Sequence, residues 1–385
     1  MGARPTPERG CSTGNFVTEW FGHQVWPTVD ATSIAWQNQS KRACPFLTTA
    51  LGEPTGCVKI ASGWKEPYGV CTISSDSNGK RQDWIACPFR TLDQHFTLLK
   101  TAIRWCYRIA ESQELLLLPP TILNRRDSKA QVREALAGGR RVFVFSAQKL
   151  GGEIDLPETD ASPGAAVDMS VIEVLRADAV GHPEVFGKHM FYEIQTADFH
   201  GSPLHAAKIL RAACPMNASK RGYHRRLEQH IEICGTGVEG PNKANIFKRT
   251  VYQMIYKIAL AQHEDCAGFA IVLPEPVWES WLRHLGQPTC QPVKGRKGVF
   301  ALRAPSEDPK MPIKDVKSAA LVFDIERDSP ESPHPLRILR TVLCSGPALA
   351  HFAFNVAAQR AIQGNVIEKF RASFVERIQR GLAGD

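Results

Sequence analysis

Between Cys44 and Pro88 the chain is broken up by Gly52, Pro54, Gly56, Gly63, Pro67, Gly69 and Gly79, so only short extended pieces, such as residues 70–74, fit between turns. A segment this rich in loops buries too little apolar surface to hold itself together. It also carries four cysteines, Cys44, Cys57, Cys71 and Cys87, separated by twelve, thirteen and fifteen residues. Four thiolates can cage a soft or borderline cation, and such a staple would supply the cohesion that the segment lacks. Close C-x-x-C pairs of the zinc-ribbon kind are missing. The residues by themselves therefore leave two readings open, a metal cage and unrelated buried cysteines.

The other seven cysteines, Cys11, Cys106, Cys214, Cys234, Cys266, Cys290 and Cys344, show no partner pattern and read as structural. An odd total of eleven, in a chain whose start MGARPTPERG has no apolar leader, argues against a secreted disulfide framework. A cytoplasmic location is the expectation. No membrane span is expected either, because the run Leu115 to Leu118 stops at Pro119 and Pro120.

With 385 residues, 43% of them hydrophobic, the chain can bury a substantial core and is long enough for two or three domains. The formal net charge of +8 suits a polyanionic partner without requiring one. Its distribution is more informative. Between residues 220 and 257 eight basic residues (220, 221, 225, 226, 243, 248, 249 and 257) face only Glu228, Glu232 and Glu239, a stripe suited either to phosphate or to a solvated face.

The first dozen residues read as disordered, with order from near Asn15. Apolar spacing then predicts a helix over 92–112 and an α/β pattern: helix 129–137, strands 141–146, 166–175 and 189–196, helix 205–213. Farther on it predicts helices at 245–263 and 277–285, strands at 299–303 and 319–325, and C-terminal helices at 348–362 and 365–379. The expected division is a loop-rich four-cysteine module over 15–95, a core over 96–290 and a C-terminal part over 291–385.

In the strand 189–196, alternation puts Met190, Tyr192 and Ile194 on one side and Glu193 and Gln195 on the other. Asp168 lies on the earlier strand between Val167 and Met169, and meets Glu193 if the two strands pair. Two carboxylates so placed offer oxygen ligands to Mg²⁺, which can activate water for attack on phosphorus. An ordinary solvent-facing polar pair is the alternative. Glu153 in QKLGGE, after the turn-permitting Gly151 and Gly152, is either a further acid near the metal or a solvent-facing loop carboxylate.

The acid on one strand followed by E-x-Q on the next resembles the PD-(D/E)xK nuclease core, with glutamine where lysine is usual. Several segments together resemble the NotI-type restriction endonuclease family: NFVTEWFGH at 15–23, CPFLT at 44–48, DWIACPFRTLD at 83–93, QKLGGE at 148–153, YEIQTADFHGSPLHA at 192–206, EGPNKANIFKRTVYQMIYKIAL at 239–260 and VWESWLRHLGQPT at 277–289. They keep their order from about residue 15 to 289, apart from 210–238.

This resemblance implies an α/β fold with a restriction-endonuclease-like core, a central mixed sheet flanked by helices, beside an N-terminal four-cysteine metal module. It implies a Mg²⁺-dependent type II restriction endonuclease, a homodimer that cuts double-stranded DNA at a GC-rich palindrome centred on GGCC, leaves 5′ extensions with 5′-phosphates, and is paired with a cognate DNA methyltransferase. Asp168, Glu193 and Gln195 match the family's catalytic positions, and Glu153 an acidic position beside them. Cys44, Cys57, Cys71 and Cys87 match a cage that holds structural iron, where ligand chemistry alone leaves zinc equally open. Lys248 and Arg249, in the FKRT match, are the expected contacts to phosphates or bases. Two other functions stay open at this point, a non-catalytic DNA-binding protein built on the cysteine module and a PD-(D/E)xK repair nuclease.

Overall fold

The computed structural model describes residues 14–383 except 62, 78, 177–184, 201–202, 216–218, 230 and 308–314. The expectation of disorder over the first dozen residues, and Cys11 with it, lies outside the described residues. The chain divides into two compact units, each assembled from three stretches. Residues 1–95, 196–242 and 325–335 form the first, and residues 96–195, 243–324 and 336–385 the second. The expected boundary after residue 95 coincides with a unit boundary, while residues 196–242 and 325–335 return to the first unit.

The first unit is built on a four-stranded sheet ordered β2-β1-β3-β4, from Phe16–Trp20 (β1), His23–Gln24 (β2), Val70–Ser77 (β3) and Lys80–Ile85 (β4). Its core gathers Val17, Trp20, Phe21, Val25, Val70 and Ile73 with Ala206, Leu210, Tyr223 and Leu227 from the helices Leu204–Ala213 and Lys220–Gln229. Glu19 is buried on β1 and stays ionised because it is matched by cations. Arg90 donates to it at 2.8 and 3.1 Å, and Arg327 at 3.2 Å. Burial alone would raise its pKa, but the two guanidiniums outweigh burial and hold it at about 2.

The second unit is mixed α/β, a nine-stranded mixed sheet flanked by helices. Its strands are Leu115–Leu118 (β5), Arg141–Ala147 (β6), Met169–Val174 (β7), Phe186–Ile194 (β8), Cys266–Pro274 (β9), Gln291–Pro292 (β10), Val299–Leu302 (β11), Ser318–Ile325 (β12) and Leu336–Cys344 (β13). Across the sheet they run β10-β11-β13-β12-β9-β8-β7-β6-β5. β6, β7 and β8 form an antiparallel meander, and β9 then lies parallel to β8. A parallel neighbour requires a crossover, and in this unit the helix Lys243–Leu260 precedes β9. β9, with the sequence CAGFAIVLP, is buried at every position because β8 and β12 flank it and helices pack on it.

Helices cover both faces of the meander. The helix Thr97–Cys106 buries Leu98, Leu99, Ala102 and Ile103. At its two ends Phe96 and Tyr107 pack edge-on against Phe145 and Phe143 of β6, on the face that carries Met190 and Tyr192 of β8. The opposite face carries Glu193 and meets the helix Lys243–Leu260. The expected helix over 92–112 is shorter at both ends. Phe96 adopts a left-handed backbone at φ 51° that starts it, and the regular helix stops at Cys106. No helix among the described residues is long and apolar enough to cross a membrane. The last helix, Val366–Ala383, is exposed along its described length, with Ile367, Phe370, Phe374 and Ile378 repeating at helical spacing.

Candidate active site and four-cysteine cage

The pairing of β7 with β8 places Met169 opposite Tyr192, so one step outward Asp168 stands opposite Glu193 on the same face. The two residues are tied together. The Ile194 amide donates to Asp168 Oδ2 at 2.8 Å, and the Asp168 amide approaches Glu193 Oε1 at 3.4 Å. Burial pushes the Glu193 pKa up, the neighbouring Asp168 charge pushes it further, and Lys257 opposes both, leaving it at about 7. The Asp168 pKa is also raised, chiefly by burial. Two partly buried carboxylates in this relation form a pair of hard oxygen donors whose mutual repulsion a divalent cation would relieve.

Gln195 follows on the same face, its amide bonded to the Val272 carbonyl of β9 at 2.9 Å. The Thr250 hydroxyl donates to Gln195 Oε1 at 2.6 Å. Lys257, two turns farther along the same helix, contacts Glu193 Oε1 with Nζ at 2.7 Å and has only 1% of its side chain exposed. Sequence reading placed Lys257 in a basic stripe suited either to phosphate or to a solvated face, and passed over Thr250. The available signal was Lys257's position beside Met254 and Ile258, which are buried on the sheet-facing side of the helix. Lys248 and Arg249 lie on this helix too, but their side chains are outside the described residues.

Glu153 lies in the exposed loop after β6 and makes no hydrogen bond or ion pair with Asp168 or Glu193 among the described residues. The turn ahead of it does depend on glycine. Gly151 has φ of +107°, and a Cβ there would come within 2.8 Å of the Pro120 ring.

In the first unit Cys44 and Cys87 each precede a proline that opens a helix, Pro45–Leu51 and Pro88–Thr91, while Cys71 lies on β3 and Cys57 in a loop. All four line one cavity of about 10 Å³, together with Phe21, Lys59 and Phe89. That is room for roughly one water-sized sphere. Burial pushes Cys44 up to about 12, Cys57 up to about 11 and Cys71 well above its ordinary value, and the neighbouring thiols add to each shift. Lys59 reaches across the same space and donates to the Ala86 carbonyl. Among the described residues no group of three or more His, Cys, Asp or Glu is already arranged to hold an ion. The four thiols thus share a cavity without closing on a single point. Buried thiolates are strongly disfavoured without a cation, so the donor set and the size of the cavity fit one soft ion.

The other described cysteines are free and buried, apart from the half-buried Cys290. Compared with known proteins, the chain is matched by no family model and by no curated protein.

Proposed function

We propose that this protein is a Mg²⁺-dependent endonuclease of the type II restriction class that hydrolyses double-stranded DNA at a GC-rich palindrome. The observation that carries the reading is Asp168 standing opposite Glu193 on β7 and β8, with Gln195 following on the same face. The antiparallel meander followed by a parallel strand supports a PD-(D/E)xK core, as does the ordered set of segments that resembles NotI-type enzymes.

In this reading Asp168 and Glu193 hold Mg²⁺, which supplies Lewis-acid stabilisation of charge at phosphorus. The Gln195 amide orients water by hydrogen bonding. Water adds to phosphorus as the P–O3′ bond breaks, leaving a 5′-phosphate and a 3′-hydroxyl. One acidic pair per chain cuts one strand, so a twofold dimer meets the need for two cuts and makes the preferred site palindromic. The exposed apolar ladder of Val366–Ala383 supports such association. Lys248 and Arg249 are proposed as contacts to phosphates or guanine edges, and a cognate methyltransferase as the protecting partner. The four-cysteine cavity is proposed to hold one structural iron or zinc ion that braces residues 44–87 without entering the chemistry.

Incubating the purified protein with an intact plasmid and Mg²⁺, then mapping the ends, tests the reading. Discrete fragments with 5′ extensions at one GC-rich palindrome are expected, from a particle of twice the chain mass by light scattering. Binding without any cutting would favour the non-catalytic DNA-binding reading, and attack confined to ends, nicks or flaps the repair nuclease.

A further inference from the structure

Lys257 occupies a place where a lysine is costly. Phe247, Met254 and Ile258 of the same helix are all buried, and an apolar side chain at 257 would continue their stripe. A buried ion pair is often no more stabilising than well-packed apolar residues of similar volume, so the Lys257–Glu193 pair is poorly explained as a device for holding the helix to the sheet.

Its position relative to the acids explains it better. The ion pair and the Asp168 amide both fall on Glu193 Oε1, and neither falls on Oε2. The carboxylate is therefore held from one side in a defined orientation. Thr250, seven residues earlier, holds Gln195 in the same manner. Seven residues are close to two helical turns, so one helix face delivers both fixing contacts to Glu193 and Gln195 of β8. Two carboxylates and a neutral amide give this site no positive charge of their own, although phosphodiester hydrolysis builds negative charge in the transition state.

Resting on the nuclease reading above, we propose that Lys257 is a positioning residue for hydrolysis, which orients Glu193 through Oε1 and supplies from the crossover helix the fixed positive charge that β8 lacks. A lysine moved to position 195 would then do part of the same work from the strand.

The test compares Lys257→Met, Lys257→Arg and the double variant Lys257→Met/Gln195→Lys with the full-length protein. Lys257→Met is expected to lower kcat for plasmid cleavage by about 100-fold, the scale of losing one preorganised electrostatic group, with KM for DNA changed less than about threefold. The double variant is expected to recover roughly tenfold of that loss, and Lys257→Arg to retain more activity than Lys257→Met. A readout without turnover is Mn²⁺ titration of DNA-free protein. Lys257→Met should bind Mn²⁺ several-fold more tightly because a competing cation has left Glu193. Wild-type kcat in Lys257→Met, or unchanged Mn²⁺ affinity in it, would overturn the inference while leaving the nuclease reading in place. If Lys257→Met does not fold, Lys257→Gln takes its place in both the single and the double variant, and a Lys257→Gln/Gln195→Lys protein no more active than Lys257→Gln overturns the inference. A wild-type protein that cuts no DNA overturns the nuclease reading itself, and this inference with it.

Discussion

The Thr250 hydroxyl donates to Gln195 Oε1 at 2.6 Å, which fixes the end of the amide that bonds to the helix and so the direction of its NH₂ group. Replacing Thr250 by valine keeps the shape and removes this donor, so the amide loses one of the contacts that orient it. We expect Thr250→Val to lower kcat by about tenfold with the melting temperature nearly unchanged, since a neutral hydrogen bond contributes only about 1 kcal/mol. Steady-state cleavage assays beside thermal melts check this, and wild-type kcat would separate Thr250 from the site.

Asp168→Asn and Glu193→Ala should both abolish cleavage, and electrophoretic shifts in Ca²⁺ should show DNA binding retained, because loss of a negative charge near phosphates does not weaken attraction. Their stabilities should differ. Glu193→Ala strands Lys257 without its partner in a buried position, at a cost of about 3 kcal/mol. Asp168→Asn keeps a side-chain oxygen able to accept from the Ile194 amide and should cost far less. Urea unfolding of the two variants measures the difference.

Protein purified without chelators should carry one iron or zinc per chain by elemental analysis. Cys71→Ser, at one of the three buried thiols of the four, should lower the ion content and destabilise the first unit by several kcal/mol, since binding energy for a structural ion is folding energy. Absence of stoichiometric metal from freshly purified wild-type protein would remove the metal from the proposal.

Acid should weaken the first unit through Glu19. Its carboxyl pKa is depressed from 4.5 to about 2 in the folded state, so its stabilising contribution is fully present above pH 4.5 and is lost as pH falls from there toward 2. The shift corresponds to a contribution on the order of 3 kcal/mol. Glu19→Gln should lose that stability at neutral pH and show a flatter pH dependence across this window. Chemical denaturation monitored by tryptophan fluorescence at pH 7 and pH 3 compares the two proteins, and parallel pH profiles would contradict the assignment.

Much of the second unit was legible in the sequence because its periods are strong. Alternation along 189–196 separated Glu193 and Gln195 from Tyr192, and the structure shows the same separation with the strand shifted to Phe186–Ile194. Lys257 was misplaced because a charge count grouped it with a stripe meant for phosphate or solvent, whereas its position beside Met254 and Ile258 decides its surroundings. The strands Leu115–Leu118 and Leu336–Cys344 were missed for different reasons. The first is a short apolar run with no alternation, and the second, LRILRTVLC, mixes exposed and buried positions without a regular period. The return of residues 196–242 to the first unit leaves no local signal, because it depends on partners far away in the sequence.

The register that sets Asp168 against Glu193 separates two kinds of change that look alike in an alignment. What brings the acids together is the phase of β8 against β7, and the number of residues linking those strands does not enter into it. Lengthening the link costs only slowly growing loop-closure entropy, so relatives can diverge widely there and still keep the same chemistry. Deleting one residue between 190 and 193, beyond the irregular pairing of residues 186–189, can cost everything, because a strand moved by a single step turns Glu193 toward the opposite face and presents an apolar neighbour in its place. A search for kin by fixed spacing between the acids would therefore discard true relatives, whereas one that tracks strand phase would keep them.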